Sequence, residues 1–179
     1  MLDPKNTFFI SDFHFDHTNI IEYCSRPFKS TEEMNEVMLR NYKEVVKSDS
    51  TVYFLGDMAF GRGSRKPQWW LSQLPGNITY IKGSHDKGIR PTNHSHCHTS
   101  LVLDTDVGRV LLIHSPWEVP KDWKGWAIHG HTHSERMVDV YHQKVCVCVE
   151  ATNYRPVSLQ QVRDAIETEP YTLSYQRGM

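Results

Sequence analysis

The feature that most constrains the fold is a short apolar run near the start of the chain that gives way to charged residues. Residues 7–10 (Thr-Phe-Phe-Ile) are apolar or β-branched, which predicts a strand buried on both faces. Asp12 and His14 come shortly after it. Side chains that follow the carboxyl ends of strands in an open α/β sheet lie in the crevice where ligands bind. An Asp-x-His pair at this point therefore predicts one half of a metal site.

The first half of the chain alternates apolar runs with amphipathic stretches. Strands are predicted at 51–55 and 78–81, and a helix at about 31–47 is predicted from a capping box that starts at Ser30. Pro67 is placed to start a second, shorter helix between the two strands. Because strands and helices alternate here, we expect right-handed crossovers and a largely parallel sheet.

The second half of the chain is instead rich in hairpin signals. Apolar runs at 101–103 and 110–113 flank a turn sequence, and runs at 138–141 and 145–149 predict another hairpin. A short strand is predicted at 126–128, and a last helix is predicted to begin after Ser158. The length of 179 residues suits one domain spanning 1–179.

Composition excludes several classes of partner. With 20 basic and 21 acidic residues, the chain has no overall field that attracts nucleic acid or a membrane surface. It opens without a secretory signal and has no apolar run long enough to cross a membrane, so a cytoplasmic protein is expected. Buried free thiols are predicted, in preference to a disulfide or a zinc site, for Cys24, Cys97, Cys146 and Cys148.

Histidine is unusually frequent, with 11 residues, and several are clustered. His94, His96 and His98 alternate as in a strand with polar neighbours, so they are predicted to lie at the surface. Other polar groups follow predicted strands: Asp12 and His14, Asp57, Ser84-His85-Asp86, His114, and His131 with His133. Such a set of carboxylates and imidazoles predicts a cluster of metal or phosphate ligands.

In this order the strand-end groups resemble the signature of the calcineurin-like metallophosphoesterases: D-x-H, then G-D, then G-N-H-D or G-N-H-E, then H, then G-H-x-H. The resemblance covers residues 8 to about 133, and the stretch 10–28 is also similar to a compact bacterial and phage subgroup of that family. It implies a four-layer αββα sandwich, in which two mixed β-sheets are flanked by helices. This is the metallo-dependent phosphatase fold.

The resemblance also implies two divalent metal ions. The ligands would be Asp12, His14 and His133 for the first ion, Asp57 as a bridge, and His114, His131 and Ser84 for the second. Such mixed oxygen and nitrogen donors suit manganese, iron, zinc or nickel better than magnesium or calcium. Water activated by both ions would attack phosphorus. His85 would be the general acid, held and kept basic by Asp86.

Position 84 departs from the family pattern, because this chain has Ser84 where the family has Asn. Serine is one atom shorter and a poorer neutral ligand, so the second metal site is expected to be weaker. Three explanations stay open. Water fills the gap in an active enzyme, the site is weakened in a natural variant, or an introduced substitution slows turnover.

Three arginines are candidates for binding substrate. Arg62 and Arg65 lie in a basic, glycine-rich loop that follows Asp57 closely, and Arg26 lies in the stretch that is similar to the phage subgroup. The alternatives are a solvated loop for the first two and a surface salt bridge for Arg26.

The function favoured by the sequence is a metal-dependent phosphodiesterase that acts on a small nucleotide or other small phosphoester. A phosphomonoesterase or phosphoprotein phosphatase is the near alternative. A catalytically impaired nucleotide-binding protein is the alternative of a different class, because of Ser84. The balanced charge argues against a DNA nuclease. We expect a monomer or a small homo-oligomer.

Overall fold

The computed structural model describes residues 2–86, 89, 95–105 and 108–168, and these form two packed β-sheets with helices against them. The first sheet contains β1 (Thr7–Ile10), β2 (Thr51–Phe54), β3 (Asn77–Ile81), β4 (Ser95–His98) and β10 (Val157–Ser158). Its strand order is β10-β1-β2-β3-β4. Strands β1 to β4 are parallel, and β10 pairs with β1 in the antiparallel sense.

The second sheet is built from the hairpin-rich half of the chain. It contains β5 (Ser100–Thr105), β6 (Gly108–Ile113), β7 (Trp126–His129), β8 (Val138–Asp139) and β9 (Lys144–Cys146). In the order β5-β6-β7-β9-β8, the three inner strands are parallel and the two outer strands are antiparallel to their neighbours. Both sheets are therefore mixed, as predicted.

The helices begin where the sequence supplies capping groups. They are α1 (Thr18–Tyr23), α2 (Thr31–Val45), α3 (Pro67–Leu71) and α4 (Leu159–Thr168). Helix α2 starts at Ser30, whose hydroxyl accepts a hydrogen bond from the Glu33 amide at 3.1 Å. Helix α4 has a reciprocal cap, since Gln161 N–H donates to Ser158 Oγ at 3.1 Å and Ser158 N–H donates to Gln161 Oε1 at 2.8 Å.

The central strands are buried on both faces, because each face meets a different core. Phe8 and Ile10 of β1 pack with helices α1, α2 and α3, whereas Phe9 points between the two sheets. Strand β2 repeats this alternation with Phe54 and Tyr53. The inter-sheet core also takes residues of α4. This explains why the two strands read as continuous apolar runs in the sequence.

The outer face of the second sheet carries a thinner cover. A short 3₁₀ helix (Pro116–Glu118) leads into a loop whose Val119 and Trp123 pack on Leu111 and Ile113. The predicted fold class, two mixed sheets flanked by helices, is confirmed. Among the described residues, no helix has the length and apolar character needed to cross a bilayer.

Two strands were not predicted, and both lie at an edge of the first sheet. Strand β4 carries His96 and His98, which are exposed as predicted, while His94 lies outside the described residues. Of the side chains described in this strand, Cys97 alone packs on the core, so the apolar alternation is too weak to identify the strand. Strand β10 has two residues and leads directly into α4. All four cysteines are free, as predicted, but only Cys146 and Cys148 are buried, whereas Cys24 and Cys97 are partly exposed.

We expect Leu112→Ala to destabilise the protein by about 2–5 kcal/mol, because it opens a cavity between the two sheets. Leu112 is 0 % exposed and belongs to the inter-sheet core. Urea denaturation followed by circular dichroism would measure the change. Val102→Ala is the matched control, since Val102 lies on the adjacent strand and is 37 % exposed. It should cost less than about 1 kcal/mol. Equal losses for the two variants would contradict the assigned core.

Candidate metal centre

The predicted ligands meet at one end of the sandwich, where strands of both sheets end. The turns after β1 and β2 are tied together, because Asp12 N–H donates to Gly56 O at 2.9 Å and His14 N–H donates to Asp57 O at 3.0 Å. The segment after β9 joins the two sheets at this end, since Ser11 N–H donates to Val147 O at 2.9 Å. The carboxyl ends of parallel strands therefore present their side chains to one shared crevice.

Five of the predicted ligands lie on strained backbone. Positive φ angles of 49° to 71° are found at Asp12, His14, Asp57, His131 and His133. A non-glycine residue in this region costs about 1–3 kcal/mol, and such residues persist only where the surrounding structure fixes them. The accumulation of such residues at one edge is typical of functional sites.

Two glycines allow the turns to approach this closely. A side chain at Gly83 would overlap the Asp57 carboxylate, and one at Gly130 would overlap Asp12 Oδ2 and Ser11 Oγ. Both glycines precede a predicted ligand, Ser84 and His131. Glycine at these two positions is therefore required by the packing of the site.

The first group of ligand atoms comprises Asp12, His14 and His133. His14 Nε2 and His133 Nε2 each lie 3.8 Å from Asp12 Oδ1. The other carboxylate oxygen, Oδ2, is already occupied, because it accepts hydrogen bonds from Ser11 Oγ, from the His131 amide at 2.9 Å and from Cys148 Sγ at 3.3 Å. One oxygen of Asp12 is thus held internally and the other faces the two imidazoles.

The second group comprises Asp57, His114 and His131. His114 Nε2 lies 3.4 Å from Asp57 Oδ2 and 3.1 Å from His131 Nδ1. Asp57 Oδ2 is also 3.6 Å from His14 Nε2, which belongs to the first group. One oxygen of Asp57 therefore lies between the two groups, where a bridging ligand would be needed.

The donor chemistry fits metal ions. Asp12 Oδ1 and His14 Nε2 are buried and have no hydrogen-bond partner within the described part of the chain. Leaving buried polar atoms unpaired is costly unless a ligand completes them. His114 Nδ1 donates to Leu55 O at 2.7 Å, and His133 Nδ1 donates to Glu150 Oε1 at 3.0 Å. Both imidazoles are thereby oriented with Nε2 towards the centre, as in known metal sites.

The electrostatics also favour positive charge at this site. Burial alone would lower the pKa of His114, but the Asp57 and Asp12 carboxylates raise it to about 9. Burial would raise the pKa of Asp12, yet the imidazoles of His14, His114 and His133 hold it well below its usual range. Bound cations would take the place of the protons that these imidazoles otherwise attract.

Ser84 lies beside the second group, as the family pattern implies. Its Oγ is 3.3 Å from His131 Nδ1, and its side chain is exposed. The shorter side chain brings a hydroxyl to the place where the family has an amide oxygen. Ser84 is therefore the weakest donor beside the second group of ligand atoms.

His85 lies at the open side of the centre, but Asp86 is not its partner. His85 Nε2 is 4.0 Å from Asp57 Oδ2, and its imidazole packs against Phe60 with ring centroids 4.0 Å apart. The Asp86 carboxylate instead accepts backbone hydrogen bonds from Asp57, Met58 and Gly83, at 2.7 to 3.2 Å. Asp86 thus fixes the turns that carry Asp57 and Ser84, and the predicted pairing with His85 is wrong.

The environment of Asp86 agrees with this internal role. Burial, together with the nearby Asp57 carboxylate, raises the pKa of Asp86 despite its backbone donors. His85 is held by its own backbone instead, because its amide donates to Asp57 Oδ1 at 2.8 Å. Its imidazole keeps access to solvent, with the side chain 38 % exposed. A group that exchanges protons with a substrate needs this access.

Arg26 does not bind substrate, because its guanidinium is fully buried. It donates to the carbonyl oxygens of Phe13 at 2.7 Å and Asp12 at 2.8 Å, and it pairs with Glu150 at 2.8 Å. Arg26 therefore stabilises the strained turn after β1 by binding its backbone carbonyl groups from the protein interior. Glu150 was missed by the sequence analysis, although its place after a buried apolar run is the same signal that identified the other ligands.

Arg65 is also not free to bind substrate. Its guanidinium forms a two-point ion pair with Asp16, at 2.7 and 3.0 Å, and lies over the rings of Trp69 and Trp70. Asp16 accepts a further hydrogen bond from Trp70 Nε1 at 3.0 Å. Arg65 thus anchors its loop. Arg62 of the same loop is exposed, and its role in binding substrate stays a prediction.

We expect Asp57→Asn to weaken metal binding by about 10–100-fold or more. Loss of a residue that only hydrogen-bonds to a metal ligand already has an effect of this size, and Asp57 itself lies between both ligand groups. Metal content after dialysis, measured by mass spectrometry, and calorimetric titration with Mn²⁺ would show it. Asp104→Asn is the same chemical change at an exposed position of β5 and should leave metal content unchanged. Wild-type affinity in Asp57→Asn would contradict the assigned centre.

Comparison with known proteins finds relatives both by sequence and among solved structures. An uncharacterized protein of Methanocaldococcus jannaschii is 35% identical over 173 residues, which cover 93% of this chain and 94% of that protein. The gene 66 protein of Mycobacterium phage L5 is 29% identical, with 90% of this chain and 94% of that protein covered. A protein of unknown function from Aquifex aeolicus has a TM-score of 0.70 and 25% identity, over 88% of this chain and 97% of that chain.

No protein-family model matches the chain. The similarity to the M. jannaschii protein extends over nearly the whole of both chains, and the strand-end motifs meet at one edge of the two-sheet sandwich. The chain thus belongs to one family with the M. jannaschii protein.

Proposed function

We propose that this protein is a metal-dependent phosphodiesterase that hydrolyses a small nucleotide or other small phosphoester. The observation that carries the proposal is the position of Asp57 Oδ2, 3.4 Å from His114 Nε2, 3.6 Å from His14 Nε2 and 4.0 Å from His85 Nε2. One carboxylate oxygen thus lies between two groups of ligand atoms and beside a proton donor. Hydrolysis of a phosphoester requires these components close together.

The chain holds two sets of metal ligands that share Asp57. Asp12, His14 and His133 form one set, and His114, His131 and Ser84 form the other. Mixed carboxylate and imidazole donors favour manganese, iron, zinc or nickel. Two such ions, when bound, supply a water of lowered pKa and neutralise charge on the phosphoryl oxygens.

The residues around the centre account for the remaining steps. His85 is accessible from solvent and supplies the proton that the leaving oxygen needs when its bond to phosphorus breaks. Asp86 and Arg26 keep the turns rigid, so that the ligands stay in place as the substrate binds.

A second function is favoured by one specific observation, the serine at position 84. Ser84 Oγ is 3.3 Å from His131 Nδ1, and a hydroxyl is a poor neutral ligand for a divalent cation. A protein with a weakened second site would bind a nucleotide or phosphoester and turn it over slowly. Phosphomonoester hydrolysis by the same residues is the alternative within the enzyme class.

We expect the purified protein, loaded with Mn²⁺, to hydrolyse bis(p-nitrophenyl) phosphate, and a chelator to abolish this activity. His85→Ala should lower kcat by about 10²–10⁴-fold, the usual contribution of a general acid. Release of p-nitrophenol measures the rate. His142→Ala is the control, because His142 is exposed, bonds to Asp139 of β8 and belongs to neither ligand group. Turnover of no phosphoester by the metal-loaded protein would instead favour the binding function.

We expect Ser84→Asn to increase the occupancy of the second metal site or the rate of hydrolysis, because an amide oxygen is a better ligand than a hydroxyl. Metal content per chain and bis(p-nitrophenyl) phosphate turnover should be measured on the same preparations. Ser100→Asn, at an exposed position of β5, is the matched control. No change in either quantity would place Ser84 outside the ligand set.

A further inference from the structure

A large open cavity lies directly beside the metal centre. Its volume is about 580 Å³, which is within the size range of small-molecule sites. The walls include His17, Phe60, Arg62, Lys66 and His85. The residues come from the turn after β1, the loop after β2 and the turn after β3, so the cavity is continuous with the ligand edge.

The position of His85 indicates which part of a substrate binds in this cavity. A general acid protonates the leaving oxygen, so the leaving group must lie on the side of His85. His85 forms part of the cavity wall. The cavity is therefore placed to hold the leaving group, while the phosphoryl group that is attacked lies at the ligands.

Two cations in the cavity wall have no counter-charge. The side chains of Arg62 and Lys66 have no hydrogen-bond or ion-pair partner in the part of the chain that the structure describes, whereas Arg65 of the same loop is neutralised by Asp16. The ion pair of Arg65 and its contacts with Trp69 and Trp70 hold the loop in place. Arg62 and Lys66 are thus presented on a fixed loop, a suitable arrangement for an anionic group such as phosphate.

An aromatic ring, that of Phe60, lies in the same cavity wall. Phe60 is 40 % exposed, and it packs against His85 on one side and His17 on the other. A partly exposed aromatic ring that is fixed by its neighbours is a surface on which a planar base can stack. The cavity thus combines a stacking surface with two unpaired cations.

We propose, on the basis of the phosphodiesterase function above, that this cavity binds the leaving group and that the leaving group is a nucleoside carrying its own phosphate. Arg62 and Lys66 bind that phosphate, and Phe60 contacts the base. In the reaction, a water oxygen forms the new P–O bond, the P–O bond to the leaving nucleotide breaks, and the leaving oxygen takes its proton from His85. Water is the only co-reactant.

The dinucleotides pApA and ApA test this directly. In both, the leaving nucleoside is bonded to the linking phosphate through its 3′ oxygen, and in pApA alone this nucleoside also carries a 5′-phosphate. We expect kcat/KM for pApA to exceed that for ApA by about tenfold or more, the contribution of a hydrogen bond to a charged group. Both substrates should yield 5′-AMP. In the double variant Arg62→Ala/Lys66→Ala, the preference for pApA should disappear.

Binding of 5′-AMP to the metal-free protein, measured by calorimetry with a chelator present, gives a second readout that needs no turnover. The double variant should bind 5′-AMP with an affinity lower by about tenfold or more, and its affinity for adenosine should change less. Phe60→Ala should weaken both ligands, because it removes a ring and no charge. Lys121→Ala/Lys124→Ala is the control of equal charge, at exposed positions before the opposite end of β7, and should bind 5′-AMP like the wild type.

The outcomes separate this inference from the proposed function. If bis(p-nitrophenyl) phosphate is hydrolysed but pApA and ApA react equally well, the leaving-group site is overturned and the phosphodiesterase stands. Release of 3′-AMP from ApA would also overturn the leaving-group site, because the bond from phosphorus to the 5′ oxygen would then be the one that breaks. If no phosphoester is hydrolysed but 5′-AMP binds and depends on Arg62 and Lys66, the activity fails and the nucleotide site is supported.

Discussion

The site depends on a set of tight, strained turns that must be held from inside the protein. Five ligand residues have positive φ angles, each at a cost of about 1–3 kcal/mol, so the turns after the strands would relax without internal support. Two buried ionic side chains supply this support. Arg26 binds the carbonyl groups of Asp12 and Phe13, and Asp86 binds the amides of Asp57, Met58 and Gly83. Both charges are satisfied by backbone atoms and by neighbouring side chains.

This support connects the two sheets to the chemistry of the centre. Arg26 also pairs with Glu150, and Glu150 in turn orients His133 with Nε2 towards Asp12. These contacts thus connect the loop after helix α1 with His133, a predicted ligand that follows strand β7 of the second sheet. Because ligand orientation is set by such outer contacts, their loss is expected to loosen the centre even when every ligand is still present.

Much of the fold followed from the sequence, because its signals are local. The alternation of Phe8, Phe9 and Ile10 between two cores produces the continuous apolar run that predicted a buried strand. The caps at Ser30 and Ser158 act within four residues of sequence. The edge strand β4 was missed because one inward side chain, Cys97, gives too little alternation. The two-sheet packing came from the family resemblance, since strand order alone does not determine how sheets stack.

The ligand types also followed from the sequence, but the partners of long or buried charged side chains did not. Arg26, Arg65 and Asp86 were assigned to substrate or to His85, and each instead bonds within the protein. Their partners lie in segments brought together only by the folded chain, so residue spacing carries no information about them. Glu150 was missed although, like the predicted ligands, it follows a buried apolar run.

The most direct test is anomalous diffraction from crystals soaked with Mn²⁺. The account predicts two anomalous peaks on either side of the Asp57 carboxylate, one near Asp12, His14 and His133 and the other near His114 and His131. Peaks found only elsewhere on the protein, or none at saturating Mn²⁺, would contradict it.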